Sequence, residues 1–85
     1  MVAFKYTITD EVGIHARPAG LLVKAAKEQT ATVTIKTAKG SADARKLMAI
    51  MALGVKQGDE VTVEVEGENE EQAAKDMQAF FEANL

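Results

Sequence analysis

The sequence predicts an α+β fold: an open-faced β-sandwich whose four-stranded, mostly antiparallel sheet carries three helices on one face, in the order β-α-β-β-α-β-α. Three observations carry that expectation. Four segments alternate apolar and polar residues with the two-residue period of a half-buried strand. Between and after them, other segments repeat apolar residues at helical spacing or gather them in one short run. Each strand shows a single apolar face, so only one side of the sheet asks to be covered.

The elements follow in order. Phe4, Tyr6 and Ile8 alternate with Lys5, Thr7 and Thr9, which reads as a first strand, and residues 10–13 read as a turn. Ala19, Leu22, Val23 and Ala26 then fall at i, i+3, i+4 and i+7, one apolar stripe of a helix over residues 16–27, with Arg17, Gly20, Lys24 and Lys27 on the opposite side. Pro18 belongs in the first turn of that helix, where its missing N–H and its ring cost least, so the helix starts within a residue or two of His15. Ala31, Val33 and Ile35 give a second strand rich in β-branched neighbours, and a turn at Ala38, Lys39 and Gly40 leads to a short third strand over residues 41–43. Residues 47–53 read as a short helix with Gly54 as its C-cap. Val61, Val63 and Val65 supply the fourth strand. After Gly67, Asn69 is placed to cap a last helix whose apolar face is Ala73, Ala74, Met77, Phe80 and Phe81, with Glu70 and Glu71 well placed in its first turn.

Composition bounds the function. The 85 residues make one domain, 1–85, with no linker, repeat or low-complexity stretch, and 47% hydrophobic and 27% charged residues is a globular balance. A chain of this size buries only about 60–65% of the surface its unfolded form exposes, so its core must be efficient. With no cysteine, disulfide staples, thiolate chemistry and Cys-ligated zinc are excluded, in keeping with a reducing compartment. The first residues alternate as a strand and lack the apolar stretch of a secretory leader, so export is not expected and the cytoplasm is. The apolar run over residues 47–55 is about half of what a membrane span requires, and a net charge of −3 argues against general nucleic-acid affinity.

His15, the only histidine, stands in the run Gly13, Ile14, His15, Ala16, Arg17, Pro18 at the predicted start of the first helix. A lone histidine there is ordinarily a surface residue or a cap. Its neighbours point elsewhere. The first four N–H groups of a helix have no internal acceptor and carry partial positive charge, so an anion on the imidazole would meet donors. Arg17 adds a guanidinium fork suited to phosphate oxygens, and Gly13 permits an unusual backbone ahead of the ring. No second histidine or cysteine could complete a metal site, and Ser41, the only serine, has no nucleophile-elbow context. The imidazole itself remains as nucleophile, and a helix N-terminus disfavours its protonated form.

The short helix is a second signal. Leu47, Met48, Ala49, Ile50, Met51, Ala52 and Leu53 place apolar groups all round, yet two turns lying on a sheet bury only part of their circumference. With Ile50 and Leu53 facing the core, Leu47, Met48 and Met51 form a compact exposed patch, and flexible methionine suits a surface that docks unlike partners.

The run Gly13, Ile14, His15, Ala16, Arg17, Pro18, Ala19, followed by Leu22, Val23, Lys24, Ala25 and Ala26, resembles the active-site signature of the HPr family, histidine-containing phosphocarriers of the phosphoenolpyruvate:sugar phosphotransferase system. Residues 46–54 are similar to that family's second helix, and the resemblance spans the chain. It implies that His15 takes a phosphoryl group from enzyme I on Nδ1 and passes it to sugar-specific A components, that Arg17 stabilises that group, and that Pro18 holds the loop geometry. It further implies a docking surface of Ala16, Arg17, Gly20, Lys24 and Lys27 on the first helix and Leu47, Met48 and Met51 on the second. A carrier of this kind is not an enzyme, uses no cofactor or metal, works as a monomer, binds no nucleic acid and does not insert into membranes.

Lys46 stands where many Gram-positive relatives carry a regulatory serine, so the resemblance implies that this serine switch is absent. A lysine at the positive end of a helix dipole costs about 0.3 to 1 kcal/mol if exposed. Asp43 offsets it if it caps a helix that begins near Ala44. The runner-up function is a regulatory or nitrogen-branch binding protein on the same scaffold. A nucleic-acid-binding domain would need basic and aromatic residues on the open sheet face, where Thr7, Thr32, Thr34, Thr62 and Glu64 stand instead.

Overall fold

The computed structural model describes residues 1–14 and 16–85; His15 lies outside the described residues. Its elements are β1 (Val2–Thr7), α1 (Ala16–Lys27), β2 (Thr32–Thr37), β3 (Gly40–Asp43), α2 (Leu47–Ala52), β4 (Glu60–Glu66) and α3 (Glu70–Asn84), in the predicted order. The sheet runs β1-β4-β2-β3, so the last strand lies between the first and the second. All three pairings are antiparallel: Phe4 stands opposite Val63, Val63 opposite Ile35, and Ile35 opposite Ala42.

That register puts the alternating apolar residues of every strand on one face. Val33, Ile35, Val61, Val63 and Val65 are fully buried there, beneath Leu22 and Ala26 of α1, Ile50 of α2 and Met77 and Phe81 of α3. Each such side chain contributes about 1.5–3 kcal/mol by leaving water. Phe81 anchors α3, meeting the rings of Phe4, Tyr6 and Phe80 edge-on at centroid distances of 6.0, 5.5 and 6.1 Å. The other sheet face is polar, and across it Lys36 Nζ pairs with Glu64 Oε1 at 3.3 Å between β2 and β4. Among the described residues no polar or charged side chain is buried, and no helix is long and apolar enough to cross a membrane.

Two helix starts differ from the sequence reading. Asp43 does not cap a helix beginning near Ala44, because α2 begins at Leu47, with Lys46 at its N-cap in an extended conformation (φ −114°, ψ 104°) and no side-chain cap. The Asp43 carboxylate instead closes a tight turn, accepting from the Arg45 amide at 2.9 Å, while the Lys46 amide donates to the Asp43 carbonyl at 3.0 Å. Asx turns of this kind satisfy the backbone locally and so compete with helix initiation. Asn69 is at the N-cap of α3 as expected, but its backbone is left-handed (φ 57°) and its side chain makes no cap bond. The reverse partner closes that start: Glu70 Oε1 accepts from the Gly67 amide at 3.1 Å. The α2 helix ends with Leu53 at the C-cap, one residue earlier than the Gly54 expected from sequence, and Gly54 stands just beyond it at φ 61°.

Candidate functional site

The chain between β1 and α1 is held from both sides before it reaches residue 15. On one side, the Thr9 hydroxyl donates to the Leu85 carbonyl at 3.0 Å and the Asp10 amide donates to the same oxygen at 2.9 Å. On the other, the Ile8 amide donates to Asp59 O at 2.9 Å and the Gly58 amide to Ile8 O at 2.8 Å. Asp10 then folds the turn, its Oδ1 accepting from the Val12 amide and its carbonyl from the Gly13 amide, at 2.9 and 3.0 Å.

Gly13 is where the loop meets the exit of α2. Its φ is +76°, and a Cβ there would fall on the Val55 carbonyl oxygen and within 2.7 Å of Lys56 Cα. The next amide, Ile14 N–H, donates to that same Val55 oxygen at 3.1 Å, and the Ile14 side chain is buried in the core. The residue before His15 is thus anchored by side chain and backbone together. Only glycine gives both the left-handed turn and this close approach.

On the far side of residue 15, α1 opens with Ala16 and Arg17 exposed and Pro18 buried, and its first turn carries no acidic residue. First-turn amides have no helical acceptor, so this end offers donors and partial positive charge together with the Arg17 guanidinium. Gly20, Lys24 and Lys27 lie exposed along the same helix, and no atom beyond the helix's own backbone and the chain neighbours lies within 4 Å of where a Gly20 Cβ would stand. The two lysines close the last turn, where the dipole favours cations.

The α2 helix divides as the sequence predicts. Ile50 is fully buried and Leu53 nearly so, while Leu47, Met48 and Met51 are 40%, 79% and 40% exposed. The helix packs against both α1 and β3. Among the described residues three large exposed apolar side chains lie outside the expected patch: Met1 ahead of β1, Val12 in the turn and Leu21 on α1. Leu21 stands four residues after Arg17 and three before Lys24, so a helical wheel drawn from Arg17 finds it; it was hidden by its neighbour Leu22 in the core.

At the entry to α2, Asp43 also takes the Arg45 side chain, with Nε and Nη2 each 3.3 Å from a carboxylate oxygen. The Arg45 side chain, then its backbone amide, hold the Asp43 carboxyl below its ordinary value. Lys46 is exposed and adds a cation beside the apolar flank. A groove of about 420 Å³ is lined by Lys36, Lys39, Leu53, Val55, Asp59 and Thr62 among others. Arg17, Lys24, Lys27, Leu47, Met48 and Met51 do not line it.

A family model described as "PTS HPr component phosphorylation site" matches residues 2–83. The phosphocarrier protein HPr of Mycoplasma capricolum is 37% identical over 73 residues, 86% of this chain and 82% of that protein. The HPr of Lysinibacillus sphaericus is 39% identical over 69 residues, 81% of this chain and 78% of that protein. Among solved structures, HPr-C-His of Thermoanaerobacter tengcongensis superposes with a TM-score of 0.92 at 33% identity, covering 99% of this chain and 94% of that one. An open-faced sandwich with an exposed helix start beside an apolar helix flank is the architecture of a phosphocarrier, a carrier rather than a catalyst. The chain belongs to the HPr family of the phosphotransferase system.

Proposed function

We propose that His15 accepts a phosphoryl group from phospho-enzyme I and hands it to sugar-specific A components in the cytoplasm, the protein acting as a monomer. The observation that carries this reading is the family membership of residues 2–83 joined to the position of the only histidine, at the mouth of a helix whose first turn exposes Arg17. In the forward step the P–N bond to enzyme I breaks as a P–N bond to His15 Nδ1 forms. A neutral ring supplies the lone pair. Arg17 and the first-turn amides of α1 take the charge on the phosphoryl oxygens, and Pro18 fixes where those amides start.

Two partners of different sequence must use one face in turn. Ala16, Arg17, Gly20, Lys24 and Lys27 form its polar half, and Leu47, Met48 and Met51 its apolar half. A small, flat, partly methionine surface accommodates unlike partners better than a shaped pocket does. Lys46 carries no hydroxyl, so the serine control of many relatives has no acceptor at this position.

Incubation with enzyme I and phosphoenolpyruvate should give an acid-labile, alkali-stable phosphate that vanishes in His15→Ala. An unlabelled wild-type protein removes the carrier reading. Arg17→Ala should still be labelled but transfer poorly, and transfer at the wild-type rate takes Arg17 out of the mechanism.

A further inference from the structure

The chain has no cysteine, so its oxidisable sulfur is confined to four methionines. They fall into unlike settings. Met77 is fully buried on the inner face of α3; Met1 is 67% exposed, but its amino group pairs with Glu70 in the first turn of α3, whereas Met48 and Met51 are 79% and 40% exposed together on one helix. Their spacing of three residues puts both thioethers on one flank of α2, next to the exposed Leu47. The sulfur most open to an oxidant thus lies on the face assigned above to the phosphotransfer partners.

We propose that Met48 and Met51 form a reversible oxidation site that closes this face to those partners, an inference that rests on the docking role proposed for α2. The oxidant is a peroxide. Its O–O bond breaks, a sulfur lone pair takes one oxygen to form the sulfoxide, and the other oxygen leaves as water; sulfur gives up two electrons and the peroxide gains them. Methionine sulfoxide reductases, drawing on a thiol reductant, return the thioether.

The sulfoxide oxygen is a strong acceptor set in the middle of an apolar patch. Free in solution it is hydrated and costs the fold nothing, because α2 is held to the core through Ile50, which the oxidation does not touch. When a partner closes over the patch, that acceptor loses its water without a donor to replace it. Burial of one unsatisfied polar group corresponds to a loss of about ten- to a hundredfold in association. The same reaction at Met77 would instead put the acceptor into the core, so the order of oxidation separates a surface switch from damage.

The test treats the protein alone with hydrogen peroxide, removes the peroxide with catalase, and only then adds enzyme I and phosphoenolpyruvate. Peptide mass mapping should find sulfoxides at Met48 and Met51, and at the exposed Met1, while Met77 is still intact, and transfer from phospho-enzyme I should fall at least about tenfold and recover after reductase treatment. A Met48→Leu/Met51→Leu variant, compared with its own untreated rate, should lose none of it. The proposal is overturned if Met77 oxidises as early as Met48, if full sulfoxide at both sites leaves transfer unchanged, or if the double-leucine variant loses as much as the wild type. If the untreated protein takes no phosphoryl group, the carrier reading falls and this inference with it; failure only after oxidation removes this inference alone.

Discussion

Two glycines of opposite circumstance frame the candidate site. At Gly13 a methyl group would meet Val55 and Lys56 in a left-handed backbone, while at Gly20 it would meet no atom outside the local helix. Gly13→Ala should therefore destabilise the fold by about 2–4 kcal/mol, and Gly20→Ala should stabilise it by about 0.5–1 kcal/mol through helix propensity alone. Urea denaturation of the two variants checks the contrast in sign. Phosphotransfer separates the two further, because Gly20→Ala should slow transfer to partners in spite of its stability, as expected of a bare spot in a contact surface. The sequence makes the permissive backbone at Gly13 legible, and it places His15 beside a helix start. It does not reveal Val55, because a contact between a loop and the far exit of another helix leaves no local pattern.

At the scale of elements, periodicity and breakers located nearly everything, and side-chain competition at helix starts accounts for what they missed. The bounds of α1 were readable because Pro18 permits only one kind of start and the stripe from Ala19 to Ala26 is unbroken. The start of α2 was not, because Asp43 can cap a helix or close a turn, and the pull of Arg45 on its carboxylate is seen only in three dimensions. Asp43→Ala should cost about 0.5–1.5 kcal/mol, while Asp43→Asn, which keeps an acceptor for the Arg45 amide, should cost less. The Asp43 carboxyl is held below its ordinary value of 3.8, so its charged contribution is in place above that pH and is lost as pH falls through the lower folded value. The stability gap between wild type and Asp43→Asn should accordingly be constant near neutrality and narrow below about pH 4, as thermal melts at stepped pH would show. A gap that widens on acidification contradicts the Arg45 pairing.

For the molecule as a whole, charge is sorted rather than spread. The net charge is −3, yet α1 carries Arg17, Lys24 and Lys27 with no acidic residue, Arg45 and Lys46 lead into α2, and α3 holds Glu70, Glu71, Asp76 and Glu82 against Lys75. A carrier that meets its donor through the basic side should lose association rate as salt rises, in spite of its overall negative charge. Transfer from phospho-enzyme I measured at about 50 and 300 mM salt should show a higher KM at the higher ionic strength with kcat little changed; an unchanged KM would place the contact elsewhere. The order β1-β4-β2-β3 has a consequence for synthesis. The last strand to be made is an interior one, and until residues 60–66 emerge β1 has no neighbour in the sheet and β2 has only β3. A ribosome can therefore release no partial sheet worth keeping: the nascent chain waits as an unfinished hairpin and a loose strand, and then closes in one late step.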